Sequence, residues 1–199
     1  MNIEIRKLTP ALAEDYITFF DTTPHNEKYG VKCYCVYWSS DTCESKDFRT
    51  KAARRDAAIQ YVKDNNIQGY LAYDGGRVVG WCNANTKADC LACAGWKGMN
   101  GPRKGFIPTG ESTPDVKVKS VFCFTIAPSV RRQGIATQLL ARVCRDAAAD
   151  GFDFVEAYPD KEITAKSEDF VGYAGMYEKM GFAVCHETKK KRVMRKALT

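Results

Sequence analysis

VFCFTIAPSVRRQGIATQLL, residues Val121 to Leu140, joins a run that reads as a strand to one that reads as a helix through a basic, glycine-containing loop. Val121 to Ile126 is rich in β-branched and aromatic residues, and Pro128 ends it because proline has no N–H to give to a ladder. From Ile135 the apolar residues fall at 135, 139, 140, 143, 144 and 147, the spacing of one helical face. The loop Arg131-Arg132-Gln133-Gly134 therefore sits at a helix start, where unpaired N–H groups and a partial positive charge attract anions. Gly134 and Ala136 leave that backbone uncovered, so the local geometry is that of a diphosphate cradle.

The order Arg-x-x-Gly-x-Ala after a strand and opening a helix resembles the acyl-CoA loop of the GNAT N-acyltransferase superfamily. A further strand-like run, Phe152 to Tyr158, follows at the expected distance, and Tyr177-Glu178-Lys179-Met180-Gly181-Phe182 is similar to that superfamily's later Tyr-Glu-Lys-x-Gly-Phe signature. The resemblance implies an α/β (α+β) fold, a mixed and mostly antiparallel central sheet of about six or seven strands flanked by helices. It implies acetyl-CoA as co-substrate and N-acetyltransfer to a primary amine, with a small-molecule acceptor favoured and no nucleic acid or membrane partner. A homodimer is left open. Phe124 and Ile126 would pair with the pantetheine arm, and the diphosphate would rest on Arg131, Arg132, Gln133, Gly134, Ile135, Ala136 and Thr137. Tyr177 would give a proton to the departing thiolate, and Glu156 is the candidate base toward the amine. Many members carry asparagine seven residues before the tyrosine; this chain has Phe170 there.

The rest of the chain reads outward from this centre. Ile3, Ile5 and Leu8 suggest a first strand, and Thr9-Pro10 opens a helix whose apolar face is Leu12, Tyr16, Phe19 and Phe20. No periodicity is legible from His25 to Tyr29, whereas Cys33-Tyr34-Cys35-Val36-Tyr37-Trp38 alternates like a strand and is expected to look into the acceptor pocket. Residues 45–66 read as a helix with basic residues on its solvent faces. Asp74-Gly75-Gly76 turns a hairpin that pairs with the Val121 strand. Residues 84–118 gather glycine and proline and read as an insertion without periodicity, either a substrate-covering loop or a disordered one. Phe182 to His186 and Arg192 to Lys196 form a last hairpin around a solvated lysine tip.

A length of 199 residues fits one domain, 1–199, with a core that needs no staples. The composition, 45% hydrophobic and 27% charged, is that of a soluble globular protein, and neither an eighteen-residue apolar run nor a secretory signal is legible. The cytoplasm is the expected location, where nine cysteines stay as thiols. A net charge of +6 suits a polyanionic ligand without selecting one. Two rival readings come from other classes: a zinc-stabilised module in which Cys33, Cys35, Cys90 and Cys93 supply thiolates, and a GNAT-like domain that senses CoA without catalysis. No metal is expected. His25 and His186, the only histidines, are expected at the surface.

Overall fold

The architecture comes from a computed structural model that describes residues 1–25, 32–39, 50–110, 115–162 and 169–198. Its element order is β1 (Ile3–Lys7), α1 (Ala13–Thr22), α2 (Lys51–Lys63), β2 (Gly69–Asp74), β3 (Arg77–Thr86), α3 (Lys87–Cys90), α4 (Ala94–Met99), β4 (Val118–Ile126), α5 (Ile135–Ala149), β5 (Phe154–Ala157), α6 (Ala174–Lys179), β6 (Ala183–Glu187) and β7 (Arg192–Ala197). The strands form one seven-stranded sheet in the order β1-β2-β3-β4-β5-β7-β6. Every neighbouring pair is antiparallel except β4 and β5. Among the described residues no helix is long and apolar enough to cross a membrane.

The sheet separates two cores. On one face α5 buries Ile135, Leu139, Leu140, Val143 and Ala147 against Val121, Phe124, Val155 and Ala157. Each fully buried large aliphatic side chain contributes about 1.5–3 kcal/mol, so this stripe fixes the helix to the sheet and with it the direction of its N-terminus. On the other face α1, α2 and α4 pack Phe20, Val62, Trp96 and Met99 around Trp81 and Phe122.

Two irregularities of the sheet build the site. The pairing of β4 with β5 runs only from Val118↔Phe154 to Val121↔Ala157, so Phe122 to Ile126 continue beyond the end of that ladder. Between β3 and β4 the register steps from Asn83↔Cys123 to Ala84↔Val121, which leaves Phe122 as the extra residue of a bulge. A bulge re-aims a side chain. Here the Phe122 ring is turned between Trp38 (centroids 4.5 Å apart, 4° between planes) and Tyr158 (5.5 Å, 14°).

Three segments depart from the sequence reading. Cys33 to Trp38 is not a strand: Tyr34 and Cys35 both take left-handed backbone angles (φ 47° and 55°), and Val36–Trp38 is a 3-10 turn. The 84–118 stretch is not structureless, because β3 runs through Thr86, α3 and α4 follow, and Cys90, Cys93, Trp96, Met99 and Ile107 are buried. Lys191 in the expected solvated tip is instead nearly buried and paired with Asp160 at 2.8 Å. The expected start of the second helix at 45–49 and most of the 25–29 segment lie outside the described residues.

Candidate active site

A cavity of about 1160 Å³ opens where β4 outruns β5. That exceeds the roughly 300–1,000 Å³ of an ordinary small-molecule pocket, so it has room for two substrates at once. One wall is the end of β4, Cys123 to Ile126, continued by Arg131, Arg132 and the start of α5. The opposite wall is the segment from Phe170 to Tyr173 with Met176 and Lys179 of α6. His25, Cys33, Cys35, Tyr37 and Trp38, together with Gly95 and Met99 of α4, close the remaining side.

The sequence-predicted anion site assembles at the first wall. Phe124, Ile126, Arg131, Arg132, Gly134, Ile135, Ala136 and Thr137 all line the cavity, while exposed Gln133 is not part of the described lining. Gly134 is the N-cap of α5 at φ 80°, with no capping side chain and no acidic residue in the first turn. The first N–H groups of a helix have no partner within it, so an uncapped start beside two arginines suits an anion. A Cβ placed on Gly134 would meet nothing within 4 Å, which means the space above the cradle is open. Arg132 also takes a left-handed backbone conformation (φ 63°), an unusual choice for an arginine that sharpens the turn into α5. Arg131 ties the loop down through Nε donating to Ile126 O at 3.2 Å. These residues fit acyl-CoA: the unpaired edge of β4 can accept an extended arm and the helix start a diphosphate.

Tyr177 is fully buried behind the second wall, and its hydroxyl donates to Val171 O at 2.7 Å. The hydroxyl lies immediately beneath Gly172, where an added Cβ would come within 3.0 Å of it. Both Val171 and Gly172 face the cavity, so only one glycine separates the phenol from it. Burial pushes this phenol well above its ordinary pKa of 10.0.

Glu156 is placed differently from its sequence reading. Its fully buried carboxylate is absent from the described cavity lining and is held by Lys87 at 2.7 Å, by Arg195 Nε at 2.9 Å and by the Tyr158 hydroxyl at 2.8 Å. Lys87 also donates to Pro108 O at 2.7 Å, so the network clamps the α3–α4 segment onto β5 and β7. A carboxylate this heavily bonded serves the packing of the wall, and geometry argues against it as a base toward the acceptor.

The cysteines are likewise placed apart. Cys90 Sγ points to Trp38 O at 3.4 Å, and Cys93 Sγ caps α4 by accepting the Trp96 N–H at 3.4 Å. Cys33 and Cys35 line the cavity, and among the described residues no group of three or more His, Cys, Asp and Glu is arranged to hold a metal ion. His25, expected at the surface, is instead buried against Phe20 and faces the cavity. No local pattern signals this, because the wall is completed by segments that follow it in the chain.

Fold and site together define an acyl-CoA-dependent acyltransferase class. The sequence matches the model of the acetyltransferase (GNAT) family over residues 33–182, and the chain belongs to that family. Nothing among curated proteins matches it. Among solved structures, it is similar to a Drosophila melanogaster polyamine N-acetyltransferase (14% identity, TM-score 0.59, 99% of this chain and 100% of that one). It is also similar to an N-acetyltransferase from Staphylococcus aureus Mu50 (15%, 0.55, 100% of both). A third is the PaiA N-acetyltransferase from Thermoplasma acidophilum, solved in complex with coenzyme A (14%, 0.54, 99% of both). At these identities the likeness is one of fold.

Proposed function

We propose that the protein transfers an acetyl group from acetyl-CoA directly to a primary amine of a small molecule, and that residues 1–199 form one GNAT domain. The observation that carries this reading is the edge of β4 left open where its ladder with β5 ends, followed after a short turn by the uncapped start of α5. Acetyl-CoA supplies the activated thioester. The β4 edge from Phe124 to Ile126 orients its arm, and the backbone of Gly134 to Thr137 with Arg131 and Arg132 holds its phosphates. Tyr37, Trp38 and Met99 give the acceptor side an apolar, aromatic wall, which favours a small organic amine. The Drosophila neighbour, a polyamine N-acetyltransferase, agrees with an acceptor of that size.

Tyr177 acts on the leaving sulfur, with a role narrower than full proton donation. A phenol well above 10 gains little by protonating a thiolate whose conjugate acid sits near 8.5. It can instead keep its proton and turn its hydrogen bond from Val171 O toward the developing negative charge, an interaction worth about 1.5–3 kcal/mol.

The test is thiol release from acetyl-CoA across a panel of small primary amines, read beside melting with desulfo-CoA. Ligand at about a hundred times its dissociation constant adds roughly 2.7 kcal/mol by mass action, enough for a clear melting shift. No shift with either ligand at millimolar concentration removes the proposal. A shift without thiol release favours a CoA-sensing domain instead.

A further inference from the structure

Lys104 brings to the cavity a charge that the anion cradle and the leaving-group wall do not use. It sits in a tight turn after α4, closed by Gly101 N–H donating to Gly105 O at 3.3 Å and Gly105 N–H donating to Gly101 O at 2.8 Å. Gly105 has φ 94°, and a Cβ there would come within 2.9 Å of Thr188 Cβ and 3.3 Å of Lys189 N. Only glycine therefore lets this turn lie against the turn between β6 and β7. The chain is tied again just beyond it: His186 Nε2 donates to Phe106 O at 3.0 Å, Ile107 N–H to Asn100 Oδ1 at 2.8 Å, and Lys87 to Pro108 O at 2.7 Å. The backbone that carries Lys104 is held on both sides, so its charge stands on a fixed base.

The cations across that contact are already matched. Lys191, which also lines the cavity, pairs with Asp160 at 2.8 Å, and Glu187 takes Lys161 at 2.7 Å and Arg192 at 3.4 Å. Exposed Lys104 forms no ion pair with a described carboxylate, so its ammonium is available to a ligand. No aspartate or glutamate occurs among the described lining residues, and a second ammonium on the acceptor would meet the like charges of Lys104 and Lys179 there. From this arrangement we propose that Lys104 selects the acceptor, and that the amine the protein acetylates also carries a carboxylate. The inference rests on the acetyltransfer reading and narrows its acceptor to amino acids and longer-chain amino carboxylates. Tyr37, Trp38 and Met99 receive the apolar body, and the Lys104 ammonium receives the carboxylate. A lysine is a point charge without the fork of an arginine, so it suits a singly charged group that approaches from one side.

Matched acceptors test this on the full chain: tyrosine against tyramine for a carboxylate beside the amine, and 6-aminohexanoate against hexylamine and cadaverine for one at the far end. The carboxylate member of at least one set should show a kcat/KM about tenfold or more above its counterparts, chiefly through KM, as one hydrogen bond between charged groups made on binding requires. Lys104→Met keeps much of the stem and removes the charge, and it should erase that difference. Lys104→Glu should turn the preference toward cadaverine. Lys190→Met, on the exposed turn outside the described lining, should keep the parent's preference. Desulfo-CoA should raise the melting temperature of Lys104→Met as it does in the parent, which shows that fold and cofactor site survive. A parent that prefers neither carboxylate, or a preference that persists in Lys104→Met, overturns the proposal. A smaller desulfo-CoA shift in Lys104→Met also overturns it, because the lysine then belongs with the cofactor's phosphates. A parent that shows neither a desulfo-CoA shift nor thiol release with any of these amines removes the transfer reading itself.

Discussion

At the scale of single residues, two side chains picked out by the sequence separate into different jobs. Tyr177 sits under Gly172 with its proton on Val171 O, so Tyr177→Phe removes both the resting bond and the one it can offer to sulfur. At saturating acetyl-CoA, kcat should fall about 10–100-fold, the kinetic equivalent of one hydrogen bond to a charged group. The Val171 carbonyl is left without that donor, and urea unfolding should register a loss of about 1–3 kcal/mol. An unchanged kcat with that same stability loss would reduce Tyr177 to a brace for the 170–173 wall. Glu156 behaves in the opposite sense. Glu156→Gln leaves Lys87 and Arg195 without their counter-charge inside the protein, a change that typically costs about 3–5 kcal/mol. Turnover per folded molecule should stay within a few-fold of the parent. A normally stable Glu156→Gln with a thousandfold lower kcat would make the carboxylate the base after all.

At the scale of elements, the readable parts were those whose local chemistry decides their shape. The helix period from Ile135 to Ala147 and the glycine before it placed the start of α5 where the structure has it, because dipole, cap and amphipathic stripe are all local properties. The segment from Cys33 to Trp38 misled because alternating aromatics and thiols imitate a strand. Its actual turn depends on left-handed Tyr34 and Cys35, held by Tyr16 Oη donating to Tyr34 O and Tyr34 Oη donating to Asp21, each at 2.7 Å. Helices α3 and α4, of four and six residues, are too short to display a period and owe their shape to tertiary burial, of Lys87 and Cys90 in the first and of Trp96 and Met99 in the second. The legible element also gives the sharper test. Gly134→Glu puts a carboxylate over the uncapped N–H groups and a side chain at φ 80°, which costs about 1–2 kcal/mol of backbone strain. The protein should remain folded, yet calorimetry should find no binding of acetyl-CoA. Affinity equal to the parent's would put the diphosphate elsewhere.

At the scale of the whole molecule, the sequence conveyed the fold, and most of the residues it proposed for the cofactor lie along one cavity wall. The proposed cofactor half lies on one continuous stretch, β4 to α5, whereas the proposed acceptor half is assembled from residues as distant as His25, Met99 and Phe170. Such a wall exists only once the sheet has brought those segments together. The thiols show the same dependence on the completed fold: Cys82, Cys90, Cys93 and Cys123 are all buried in it. Burial pushes Cys33 from 9.0 to about 12, and it raises Cys82 and Cys144 as well. Above pH 9 the unfolded chain therefore releases thiol protons that the folded chain keeps, so stability present below that pH is lost as pH rises toward 12. Cys33 alone contributes a slope of about 1.4 kcal/mol per pH unit in that window. Lys119 opposes it, since burial lowers its ammonium from 10.5 to about 8, and between those values the unfolded chain binds the extra proton, so stability rises with pH. One lysine offsets one thiol, and the remaining buried thiols, joined near pH 10 by buried phenols such as Tyr177 whose pKa burial also raises, decide the sign. The urea midpoint should accordingly fall between pH 9 and 10.5, and the fall should be shallower in Cys82→Ala; a midpoint that holds or climbs across that range would show that the thiols ionise as readily in the fold as out of it.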